Sequence, residues 1–280
     1  MIKKHIWFLL LFIFACEPSE TLKHPLDKSQ VRTLVLENEL RVYLLSDPKF
    51  NLSAASVAVQ VGSLDNPDDR QGLAHFLEHM LFLGTEKYPD VDEYSSYLRN
   101  NGGYSNAYTA SDLTNYQFQV LPDAFEGALD RFSQFFISPL FTEEYTSREV
   151  NAVNSEHQKN IMNDNWRRFR LAGIFAKEGH PEQKFGTGNL ETLGDIDRTE
   201  LIEFYNKYYS SNRMGVALLS THSLDDMEAW ARKYFSTIKN HKKEVNQYDP
   251  NPYDKKETFR LVKIDPVKDI RDLVMIFPLP

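Results

Sequence analysis

Two hydrophobic periods divide the chain. Residues 40–46 (LRVYLLS) and 53–63 (SAASVAVQVGS) alternate apolar and polar positions, the period of a half-buried strand. The stretch 65–70 (DNPDDR) is turn chemistry, and it introduces GLAHFLEHMLFLG, a helix apolar on nearly every side that Gly84 can end. A second helix is expected over 91–101, then loop glycines at 102 and 103, then two strand-like runs, YSNAYTA and NYQFQVL, separated by SDLT. Helical periodicity continues through DAFEGALDRFSQFFIS, broken at Pro139, then TEEYTSREVNAVNSEHQKNIMND and NWRRFRLAGIFAKEG. After the loop HPEQKFGTGN come the helix DRTELIEFYNKYYS, the strand RMGVALLS, the helix SLDDMEAWARKYFSTIK, and strand-like runs at RLVKI and LVMIF. Strands grouped before and after clustered helices predict an α+β fold, a mainly antiparallel sheet with helices packed on one face.

The first 20 residues depart from this pattern. Lys3 and Lys4 precede the apolar run 6–15, which is followed by Cys16. Such a run is about half the roughly 20 residues a transmembrane helix needs, so it reads as an export signal over 1–15. IFAC resembles the lipobox of bacterial lipoproteins, which implies cleavage before Cys16, lipidation of its sulfur, and a tether over 16–30. The expected location is the bacterial periplasm, held to a membrane by the lipid. Cys16 is the one cysteine, so no disulfide forms within the chain.

Length and charge narrow the remaining possibilities. At 280 residues, with 41% hydrophobic and 26% charged positions, the chain is long enough for a sizeable core. Its formal charge of −8 becomes −10 once Lys3 and Lys4 are cleaved away, and the one basic cluster, Lys239 with His241, Lys242 and Lys243, reads as a solvated loop. Nucleic acid is not an expected partner.

The chemistry concentrates in HFLEH. At 100° per residue His79 lies about 40° from His75 and Glu78 about 60° to the other side, so all three project within one arc. Titratable groups on so apolar a helix must be paired, hydrogen-bonded or bound to metal. Two imidazoles one turn apart can converge on a single Zn²⁺, leaving room for a third protein ligand and a water, with Glu78 beside the water as general base. One zinc per chain is expected. The third ligand lies on a later helix, REVNAVNSEHQKN, where Glu149, Val153 and Glu156 share a face. Spacing alone leaves Glu149, Glu156 and His157 open.

Six blocks in order, HFLEHMLFLGTEKYP, SNAYTASDLTNYQF, ALDRFSQFFISPLF, REVNAVNSEHQKN, KFGTGN and YYSSNRMGVALL, resemble the N-terminal domain of the insulinase and pitrilysin family of zinc peptidases, whose signature is the inverted HxxEH motif. The resemblance implies an insulinase and mitochondrial-processing-peptidase type of fold over 31–265, with 266–280 beginning a connection to a second domain. It implies that His75, His79 and Glu156 bind zinc, that Glu78 is the general base, and that Glu149 is an outer carboxylate orienting a ligand histidine. SNAY matches the family's substrate-edge strand, so Asn106 and Ala107 would align an extended peptide. The family cleaves peptides and small unfolded polypeptides in a chamber of four related domains. A C-terminal half or partner subunit is therefore expected to complete the site, and the other reading is a truncated or partner-dependent zinc-binding domain with little activity alone.

Overall fold

A computed structural model describes residues 24, 26–254, 256 and 260–277. The expected export signal, Cys16 and most of the tether lie outside the described residues. Six strands form one sheet: β1 (Gln30–Val35), β2 (Arg41–Ser46), β3 (Ser53–Val59), β4 (Tyr104–Thr109), β5 (Thr114–Val120) and β6 (Met214–Ser220). Their order across the sheet is β1-β2-β6-β3-β5-β4. Every neighbouring pair is antiparallel except β2 with β6, which run parallel from Arg41 beside Gly215 to Ser46 beside Ser220. This is the mainly antiparallel α+β sheet that the alternating runs predict.

The helices are α1 (Leu73–Met80), α2 (Glu93–Asn100), α3 (Phe125–Ser133), α4 (Glu143–Ile161), α5 (Asp164–Ile174), the short α6 (Leu190–Leu193), α7 (Arg198–Tyr208) and α8 (Leu224–Phe235). Strand alternation sorts the sheet's side chains between two faces. Val42, Leu44, Val57, Tyr116, Phe118, Val216 and Leu218 are buried on the helix-covered face. Arg41, Tyr43 and Gln117 lie exposed on the other. Between sheet and helices, Tyr94, Phe118, Phe132, Phe135 and Phe136 interlock, with Phe118 and Phe132 edge to face at 5.1 Å. Burying rings this large drives the layers together.

Two expectations are corrected. The tether was expected to reach residue 30, but β1 begins there and pairs along all of β2. Its weak signal has a physical cause: an edge strand is largely exposed on both faces, so QVRTLV shows little contrast. The runs RLVKI and LVMIF are not strands. Residues 260–277 lie in no ladder, and Leu261, Leu273, Met275 and Phe277 are among the most exposed large apolar side chains described. An apolar run becomes a strand only where an edge is present to accept its hydrogen bonds.

Candidate metal centre

The zinc helix is set by its first turn. Gly72 precedes α1 with φ at 95°, and a Cβ there would meet the Gly188 backbone at 2.3 Å, so only glycine lets the helix start against the 186–188 loop. Asn66, from the predicted turn, accepts the Ala74 amide at 2.8 Å and so satisfies an N-terminal donor. Leu73, Ala74, Phe76, Leu77 and Met80 are buried in the core. That anchoring leaves His75 and His79 on the helix face that opens toward a cleft of about 930 Å³.

Each histidine has one nitrogen committed. His75 Nδ1 lies 2.8 Å from the Thr187 carbonyl, which can only accept, so the proton sits on Nδ1 and the Nε2 lone pair is free. His79 Nδ1 faces Glu149 Oε2 at 3.5 Å. The other nitrogens converge on one carboxylate oxygen: His75 Nε2 and His79 Nε2 stand 3.5 and 3.7 Å from Glu156 Oε2. His75, His79 and Glu156 each offer a ligand atom within 4.8 Å of the others. Tetrahedral zinc with bonds of about 2.0–2.1 Å would set its ligands roughly 3.3–3.4 Å apart. The donor set of two imidazoles and a carboxylate fits that ion in number, chemistry and spacing.

Charge balance points the same way. Burial alone would depress His79, but Glu149, Glu156 and Glu78 together outweigh it and bring its pKa up to about 9. Hydrogen bonding to His79 holds both Glu149 and Glu156 below the usual carboxylate range. Positive charge, carried by a proton on His79 or by a bound metal ion, is therefore favoured where these groups meet. Glu78 differs. It is 6% exposed, burial pushes its pKa up against the pull of His75 and of the Thr109 hydroxyl, and it is not part of the three-ligand group.

Every sequence-predicted site residue in the described chain borders this cleft, in different roles. Glu156 is the carboxylate the histidines face; Glu149 stands behind His79; His157 turns its ring against Phe185 at 4.9 Å and is not among the converging ligands. Asn106 and Ala107 lie on β4, the outermost strand, and line the cleft. Reading the sequence missed Thr109, whose Oγ1 donates to Glu78 Oε2 at 2.6 Å, and the Thr187 carbonyl. Both lie within quoted blocks, SNAYTASDLT and KFGTGN, but a hydroxyl or a main-chain oxygen carries no spacing signature.

Comparison with known proteins agrees with this geometry. Residues 41–178 match the family described as Insulinase (Peptidase family M16), and residues 195–280 match the one described as Peptidase M16 inactive domain. The second match includes β6, which lies between β2 and β3 in the same sheet. The human insulin-degrading enzyme is 47% identical over 258 residues, covering 90% of this chain and 25% of that protein. The A-factor-processing enzyme of Saccharomyces cerevisiae is 43% identical over 266 residues, covering 92% and 26%. The crystal structure of pitrilysin superposes with a TM-score of 0.81 at 35% identity, covering 86% of this chain and 26% of that one. The chain thus spans about a quarter of the length of these relatives. With the first match spanning α1 and α4, which carry His75, His79 and Glu156, and the second supplying β6 to the same sheet, the chain belongs to the insulinase family, peptidase family M16, whose metal is zinc.

Proposed function

We propose that this chain carries the catalytic half-site of a zinc metalloendopeptidase that hydrolyses peptides and small unfolded polypeptides. The observation that carries the reading is the division of labour on α1: two histidines converge with Glu156, while the buried Glu78 between them stays out of the ligand group. His75, His79 and Glu156 would hold the zinc, which when bound would supply a Lewis acid able to activate water near neutral pH. Glu78 takes the water's proton on its carboxylate and returns it to the leaving amine nitrogen. Thr187 and Glu149 fix the ring orientations of His75 and His79 through their Nδ1 atoms. The edge of β4 that pairs with no strand among the described residues offers main-chain donors and acceptors around Asn106 and Ala107, along which an extended peptide can add as a further strand. Recognition through main chain gives loose side-chain specificity.

The cleft's own cations each donate to main-chain carbonyls of the chain. Arg170 donates to the Gln183 carbonyl at 2.9 Å, Arg167 to the Asp265 carbonyl at 2.8 Å, and Lys184 to the Asn66 carbonyl at 2.6 Å. This favours a reading in which stabilisation of the developing oxyanion comes from a C-terminal half or partner subunit, and the chain alone is weakly active. Each missing donor costs about 2.7–4 kcal/mol of transition-state stabilisation. The lone Cys16 after a basic and apolar leader supports an exported, lipid-anchored protein of the bacterial periplasm. Palmitate labelling that Cys16→Ser abolishes is the expected result, and an unlabelled wild type contradicts the anchor. The enzymatic reading is tested with a quenched fluorescent peptide and the zinc-loaded chain, alone and with the C-terminal half of a relative. Cleavage that Glu78→Gln abolishes supports it, and cleavage unaffected by Glu78→Gln overturns it.

A further inference from the structure

Glu78 is a buried carboxylate beside the ligand cluster with one side-chain hydrogen bond among the described residues, and the donor comes from the strand that forms the cleft's edge. Thr109 is the last residue of β4, and its Oγ1 donates to Glu78 Oε2 at 2.6 Å. Across the hairpin it pairs with Thr114, which is fully buried and gives its own hydroxyl proton to the Val61 carbonyl at 2.8 Å. The two hydroxyl oxygens are 3.4 Å apart, a poor distance for an O–H···O bond. The single Thr109 proton is thereby directed to Glu78. Charge-assisted bonds of this length are strong, and this one occupies one oxygen of a carboxylate that lines the cleft.

Strand geometry adds a second consequence. Ala107 and Thr109, two residues apart, share a face of β4, and both line the cleft. A peptide laid along the β4 edge would be registered to the same strand that sets the carboxylate of Glu78. We propose that Thr109 is a positioning residue that holds Glu78 in one orientation and ties the alignment of the substrate strand to it. The catalytic half of this inference rests on the role proposed above for Glu78; the contact between the two side chains does not.

Two measurements separate those parts. The first is a double-mutant cycle in the zinc-free 280-residue chain, with Thr109→Val, which keeps shape and removes the hydroxyl, crossed with Glu78→Ala and read as urea midpoint. Thr109→Val should lower the midpoint clearly in the wild-type background and much less with Glu78→Ala; additive shifts overturn the link. The second is peptide cleavage by the zinc-loaded chain completed with a relative's C-terminal half. Thr109→Val should retain its zinc and its KM while kcat falls roughly ten- to a hundredfold, the range expected when a reacting group is misplaced. Thr109→Ser, which restores the hydroxyl, should recover most of that loss. An unchanged kcat in Thr109→Val, or a Thr109→Ser variant as slow as Thr109→Val, overturns the positioning role. Full activity of Glu78→Gln would remove the base assignment and this catalytic role with it, and the coupling in unfolding would still report the contact.

Discussion

At the scale of single residues, the site separates groups that face a metal from groups that face those groups. Glu149 is the clearest case of the second kind, since it reaches His79 Nδ1 and stands outside the converging ligand set. Removing its charge should leave zinc binding intact in kind but weaker, by about 10–100-fold for an outer partner of a ligand histidine. Competition with a chromogenic chelator on Glu149→Gln measures it, and an affinity loss as complete as that of His75→Ala would make Glu149 a ligand. The motif HFLEH was legible in the sequence because 3.6-residue periodicity converts spacing into direction. Spacing alone did not choose among Glu149, Glu156 and His157, because all three fall within little more than two turns of α4 and its packing against α1 decides which one reaches across; the resemblance to the family singled out Glu156. Thr109 was invisible for a related reason: its partner is 31 residues away, and the contact exists only once β4 packs beside α1.

At the scale of elements, the alternating runs and the amphipathic stretches gave most strands and helices correctly, since each buries one face against the other layer. They failed where burial was absent, at the exposed edge strand β1, and where a strand pattern had no edge to pair with, over 260–277. The start of α1 is the element-level feature with the sharpest consequence. Gly72→Ala must place a side chain at positive φ and against the Gly188 backbone, and strain of that kind costs of order 1–3 kcal/mol. Because Gly188 adjoins the Thr187 carbonyl that orients His75, thermal stability and zinc affinity should fall together. Gly215→Ala is the contrasting control: its added Cβ meets nothing within 4 Å and should change the melting temperature little. A Gly72→Ala chain that melts and binds zinc like wild type would mean that the loop gives way freely. In the core, Phe132→Ala should cost about 3–5 kcal/mol in urea unfolding, because a fully buried ring leaves a cavity among close-packed aromatic neighbours.

At the scale of the whole molecule, the chain supplies three side chains able to hold one metal ion, a buried carboxylate and an edge strand around one cleft, at about a quarter of the length of its relatives. Weak cleavage is expected of this chain alone, with a rise of a hundredfold or more when a C-terminal half is supplied, the effect of at least one added oxyanion donor. Robust Glu78-dependent turnover by the chain alone would show that its own groups suffice. All of these expectations require that α1 and α4 hold one zinc ion through His75, His79 and Glu156 while Glu78 serves the water. Metal content of the purified chain and four variants, measured side by side by elemental analysis, tests it most directly. Wild type and Glu78→Gln should each hold about one zinc, whereas His75→Ala, His79→Ala and Glu156→Gln should lose it. Zinc lost from Glu78→Gln as fully as from the histidine variants, or kept by Glu156→Gln, would contradict the assignment.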